Sequence, residues 1–241
     1  MSAGGRWGET HLPPAVAERL DDLLDTALDK ALVIERPAVL AYLDRIRSRN
    51  PKLSPAQLIR RLERRYLTLE VAIGGAAGAA AALPGTGTGT TFASGAAEIT
   101  GFVSSTALFV LALAELHSLP VSDPEVRRAL VVAVLVGASA ETVLDASERG
   151  SSHWARVLAS HGSRDKPRGL DERLGRLLLT RFGARQGVLL VGRALPLGIG
   201  AGIGAVGNAA LARSAIATAR TAFGPPPARF PPRVIDVRPV E

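Results

Sequence analysis

The sequence predicts an all-α protein, a helical bundle with Gly/Ala-rich hairpins and no substantial β-sheet, on three observations. Aromatic residues make up only 4% of the chain while glycine, alanine, leucine and valine dominate, which favours closely packed helices over β-sandwiches or base-stacking surfaces. Apolar residues recur at helical spacing in segment after segment. Proline and glycine punctuate those segments at their ends.

The elements follow in order. After Pro13 and Pro14, Val16, Leu20, Leu23, Leu24, Ala27 and Ala31 form one stripe, with Glu18, Asp22, Asp25 and Asp29 largely opposite, which describes an amphipathic surface helix. A second helix is predicted from Pro37 to about Arg49 and is broken at Asn50-Pro51, because the residue before a proline avoids the α region. Ser54 then reads as an N-cap with Pro55 at the first helical position. In the helix that follows, Leu58, Leu62, Tyr66 and Leu69 share a stripe. Arg60 and Arg64 fall opposite it, and Arg61 and Arg65 lie along its flank.

From Val71 to Ala97 the chain carries no charge and includes Gly74-Gly75-Ala-Ala-Gly78. Small residues four apart, such as Gly74 and Gly78, let helix backbones approach closely. Pro84, Gly85 and the Gly/Thr alternation that follows interrupt the helix. A second charge-free stretch, Ile99 to Ala114, would span about 24 Å against a hydrocarbon core of about 30 Å. Asp123 or a neighbour caps a helix predicted from about Glu125 to Ser147. Residues 149–168 read as a polar linker with a short helix around Trp154 to Ala159, and another helix begins near Leu170. The run from Val188 to Ala212 is interrupted in charge only by Arg193 and holds a Leu195-Pro196 break with Gly200 and Gly204 beyond it. Residues 1–53 are thus read as N-terminal amphipathic helices, 54–223 as a helical domain and 224–241 as an extended or disordered proline-rich tail. The two arginine-bearing helices, each followed by a small-residue run with a Leu-Pro break, echo each other.

At 241 residues the chain suits one medium domain or two small ones. Its 47% hydrophobic content excludes a wholly disordered chain, and the lack of cysteine excludes disulfides, thiolate metal sites and cysteine nucleophiles. The formal charge of +7 is unevenly placed: residues 1–172 carry 19 basic and 20 acidic residues, residues 173–241 carry 10 and 2. All but three of the basic residues are arginine. Compositional bias is one source of that preference; contact with phosphates of lipid or nucleic acid is the other. The N-terminal stretch lacks an apolar signal region, so the N-terminus is expected in the cytoplasm.

Several motifs resemble chemistry without its context. Gly202-Ile-Gly204-Ala-Val-Gly207 matches a dinucleotide-binding pattern, but Arg193-Ala-Leu-Pro196 before it makes a poor strand and the next acidic residue is Asp236. The glycine- and threonine-rich run after Gly85 lacks the lysine of a phosphate loop. His11, His117, His153 and His161 have no metal-ligand spacing, and His153 and His161 are expected to be solvated. Glu98 and Glu115 read first as marks of where a helix meets water, and second as functional carboxylates. No cofactor or catalytic residue is assigned. The basic C-terminal third lacks aromatic interleaving, so no specific nucleic-acid binding is expected.

The stretch from about Ser54 to Leu144, with Leu177 to Phe223, resembles the bacterial EcsC family. Gly74-Gly75-Ala-Ala-Gly78 through Leu83-Pro84-Gly85 carries the resemblance, together with Asp123-Pro-Glu-Val-Arg127-Arg128, Gly137, and Leu195-Pro196 through Gly207-Asn208. It implies no biochemical activity and no catalytic residue, since the family's own activity is unassigned. The residues themselves lead to a non-enzymatic protein on the cytoplasmic side of a membrane. Its Gly/Ala-rich hairpins would dock or insert while Arg60, Arg61, Arg64 and Arg65 meet anionic head groups. The alternatives are a soluble helical module that binds a protein partner, and an enzyme acting on a lipid-like substrate through Glu98, Glu115 or a histidine.

Overall fold

The computed structural model describes residues 14–34, 36–81, 88–119, 123–137, 143, 153–161, 177 and 199–231. Among these the chain is all-α: α1 (Pro14–Leu32), α2 (Arg36–Ser48), α3 (Pro55–Ala81), α4 (Thr88–Leu116), α5 (Pro124–Val136), α6 (Trp154–His161) and α7 (Ile199–Phe223). No strand occurs among the described residues.

Helix boundaries follow local chemistry. Ser54 and Gln57 close a capping box at the start of α3, Gln57 N–H donating to Ser54 Oγ at 3.3 Å and Ser54 N–H to Gln57 Oε1 at 2.8 Å. Asp123 caps α5 by accepting from Glu125 N–H and Val126 N–H. The helix expected to run from there to about Ser147 instead closes at Val136. Gly137 turns left-handed with φ 72° and its N–H returns to Ala133 and Val134 carbonyls. The Gly/Thr alternation expected to break the chain is partly helical, since α4 starts at Thr88 inside it. The break at Pro84 and Gly85, that at Pro196, and the helix expected near Leu170 lie outside the described residues.

Helix α4 is the axis of the fold. Its buried residues include Phe102, Val103, Ala107, Phe109, Val110 and Ala112, and α1, α2, α3, α5 and α7 all pack against it. This all-round apolar character is the pattern of a buried helix. Helix α5 is buried just as continuously, from Ala129 to Val136. The acidic helix α1 is fastened to α5 by Arg128, which donates to Asp29 at 2.9 Å and Asp25 at 2.5 Å, and by Arg127, which donates to the Leu32 carbonyl at 3.1 Å.

Two segments expected at the periphery join the body. Within the polar linker, α6 buries Trp154, Ala155 and Leu158 completely or nearly so. The first part of the proline-rich tail, residues 224–231, lies against the helices: Phe230 is partly buried on the core and its ring sits 4.0 Å beneath the Arg47 guanidinium. The tail expected to be extended or disordered is thus anchored through Phe230; residues 232–241 lie outside the described residues.

Candidate functional site

Helices α3, α4 and α7 build one end of the molecule. Tyr66 Oη and Thr106 Oγ1 are 2.7 Å apart, Ser105 donates to Glu70, and a Cβ on Gly101 would meet Ile73, so α3 and α4 run antiparallel. Gly74 lies against Gly204 while Glu63 pairs with Arg220, so α3 and α7 are antiparallel as well. The C-terminal half of α3 and the N-terminal halves of α4 and α7 therefore project in the same direction.

That shared end is free of charge on all three helices. Beyond Glu70, α3 has no ionisable residue to its end at Ala81; α4 has none from Thr88 to Ala97; α7 has none from Ile199 to Ala212. The two carboxylates at its base point inward: Glu70 is fully buried and Glu98 is 5% exposed. Glu98 therefore does not mark where a helix meets water, because α4 runs through it as a continuous buried element. The outer surface is apolar and small, with Val206 69% exposed, Leu69 and Val71 exposed, and Ala72, Ala76, Ala79, Gly202 and Ala210 beside them.

A close approach of backbones holds this end together. A Cβ on Gly74 would collide with the Gly204 carbonyl oxygen and lie 2.7 Å from Asn208 Cγ. One on Gly204 would collide with the Gly74 carbonyl oxygen and lie 3.5 Å from the Cα of Gly78. The structure thus gathers Gly74, Gly78 and Gly204 at one crossing, and places Gly200 one turn beyond it on α7. The dinucleotide-like run from Gly202 to Gly207 is interior to α7 and follows no strand among the described residues.

The arginines divide into two groups. Arg36, Arg127, Arg128 and Arg220 are committed to internal partners. Arg36 grips Glu115, Nε to Oε1 at 2.6 Å and the second nitrogen to Oε2 at 3.2 Å, so Glu115 has a structural partner. Arg220 holds Glu63 by two hydrogen bonds of 2.7 Å, and that bonding, followed by the carboxylate's charge, raises its pKa further. By contrast, Arg60, Arg61, Arg64 and Arg65, with Arg213 at the foot of the α7 run, form no ion pair among the described residues. Arg60, Arg64 and Arg213 are exposed, and Arg61 and Arg65 half-buried. They lie about one to three helical turns below the charge-free end.

A second cluster escaped the sequence reading. His117, at the close of α4, stacks obliquely on Phe223 with ring centroids 5.4 Å apart. His153, expected to be solvated, instead buries Nδ1 and packs against Gly224, where an added Cβ would lie 2.7 Å from its Nε2. No signal in the sequence links these residues, because only the packing of α4, α6 and α7 joins them. His11 lies outside the described residues. Among the described residues no group of three or more histidine and carboxylate side chains is placed to hold a metal ion.

No protein-family model, curated protein or solved structure matches this chain. The resemblance to the EcsC family therefore rests on the quoted motifs alone.

Proposed function

We propose that the protein docks on an anionic membrane surface through the charge-free end of α3, α4 and α7, without enzymatic activity of its own. One observation carries this reading: the two outer helices, α3 and α7, both change from arginine-bearing to charge-free at the same level, with the base carboxylates turned inward. The charge-free part of each helix is about 15 to 20 Å long, roughly half of a hydrocarbon core of about 30 Å. That depth suits entry into one leaflet, with the free guanidiniums of Arg60, Arg64, Arg65 and Arg213 at head-group level.

Among the described residues one stretch is long and apolar enough to cross a bilayer, Gly95–Leu116, and it is 67% buried by the protein itself. It serves as the core of the body in this reading, with only its N-terminal part near lipid. Burial of α4 also supports the second reading, a soluble helical module whose charge-free end meets a protein partner.

Co-sedimentation with vesicles tests the choice. Wild-type protein is expected to sediment with vesicles rich in phosphatidylglycerol and to stay in solution with pure phosphatidylcholine. V206D, a change at an exposed position, should abolish binding without altering the melting temperature. R60Q/R64Q should weaken it and reduce its salt dependence. A wild-type protein that ignores anionic vesicles overturns the membrane reading and leaves the soluble module.

A further inference from the structure

Four arginines of α3 stand together on one side of that helix. At about 100° per residue, Arg60, Arg64, Arg61 and Arg65 fall in that order within an arc of about 140°, over a rise of about 7.5 Å. They make two pairs four residues apart, Arg60 with Arg64 and Arg61 with Arg65, set side by side. Like charges at that spacing repel. Helix α3 itself supplies no compensation, because its two carboxylates lie outside the arc and are buried: Glu63 is bonded to Arg220, and Glu70 accepts from Ser105. None of the four arginines forms an ion pair among the described residues, and Arg61 Nε is buried without a hydrogen-bond partner. The fold thus carries a dense cationic strip whose guanidiniums it does not use to hold itself together.

We propose that the two arginine pairs clamp the two phosphates of one lipid head group, a bisphosphate of the cardiolipin type in which a glycerol joins two phosphodiesters. This rests on the docking reading above and names the lipid that the reading leaves open. The residues of each pair have Cβ atoms about 5 to 6 Å apart, close enough for two planar forks to share the oxygens of one phosphodiester. Every basic residue of α3 is arginine, the side chain whose fork matches phosphate oxygens, and none is lysine. Arg60 and Arg64 are exposed and Arg61 and Arg65 half-buried, so both pairs are open to a ligand. Because the pairs are neighbours, binding of the first phosphate delivers the second intramolecularly, at high effective concentration. Lipids with a single phosphate lack that advantage, since each must be captured and ordered separately.

Vesicles matched in surface charge make the test: phosphatidylcholine with about 20 mol% cardiolipin against phosphatidylcholine with about 40 mol% phosphatidylglycerol. Full-length wild-type protein is expected to bind the cardiolipin vesicles about five-fold or more tightly than the others. R60K/R64K keeps the charge and loses one pair of forks, so it should retain binding to phosphatidylglycerol while the preference falls to about one-fold. R60Q/R64Q should lose the preference too. R49Q/K52Q removes the same charge from the exposed turn after α2 and should keep it. Both positions of the lysine variant are exposed, so its thermal melt should match that of wild type. Equal binding by wild-type protein to the two kinds of vesicle, or a preference that survives R60K/R64K, overturns the two-phosphate clamp and leaves the docking reading standing. Wild-type protein that binds neither kind overturns both.

Discussion

Gly74 on α3 and Gly204 on α7 meet backbone to backbone, each occupying the space that the other's Cβ would need. Neither helix can carry a side chain at this point unless the two move apart. The contact therefore sets how closely α3 and α7 approach and aligns their charge-free halves.

G74A and G204A should each lower unfolding free energy by about 2 to 3 kcal/mol, because the obstacle is a carbonyl on a helix and not a movable side chain. Gly202, two residues away with open space at its Cβ position, supplies the control. G202A should be neutral or stabilise by up to about 1 kcal/mol through helix propensity. Denaturant unfolding of the three variants checks the contrast; equal effects would refute the close approach.

The Glu63–Arg220 pair ties the opposite ends of the same two helices, with the carboxylate 8% exposed and the guanidinium 65% exposed. Because Arg220 stays largely in water, its share of the interaction is screened. R220M leaves a buried carboxylate without its bidentate partner and should cost about 2 kcal/mol, more than E63Q. A double-mutant cycle with E63Q/R220M should return a coupling of about 1 to 2 kcal/mol.

Tyr66 fixes α3 on α4 twice, through its hydroxyl to Thr106 and through a parallel stack on Phe109 at 4.7 Å. Y66F keeps the stack and removes one hydrogen bond; Thr106 still donates to the Phe102 carbonyl. The expected cost is about 1 kcal/mol. Y66A removes the ring as well and should cost about 3 to 5 kcal/mol, measured by the same unfolding assay.

His117 predicts how stability depends on pH. Its folded-state pKa lies below 6.5, so in the window between the two values the unfolded chain binds more protons than the folded one. Unfolding free energy should therefore decline as pH falls through about 6.5, and level off once pH is below the folded value. Replacing His117 by glutamine should flatten that decline in thermal melts.

Much of the fold was legible because it depends on residues close in sequence. Ser54 and Asp123 announce their helices through short side-chain bonds to nearby N–H groups, and the apolar stripes of α1 and α3 reveal their buried faces, except that Leu69, placed on the α3 stripe by its spacing, is 49% exposed. The glycines and arginines of the candidate docking end were visible for the same reason. Other features were not. Gly137 ends α5 inside a run that remains apolar beyond it, so hydrophobicity alone extended the helix too far. Trp154 and Phe230 lie in polar or proline-rich surroundings, and nothing local signals that each finds an apolar or cationic partner far along the chain.

The sequence by itself determined the all-α class, the placement of uncharged runs next to arginines, and the lack of cysteine chemistry, because period, composition and charge are properties of the chain alone. Only the tertiary structure decided that Glu98 turns inward, that Glu115 belongs to Arg36, and that His117 and His153 share a junction. Those outcomes depend on which helices become neighbours. Helix packing brings together groups far apart along the chain, such as Arg36 and Glu115, 79 residues from each other, and their free energies depend on desolvation and charge that exist only after that packing.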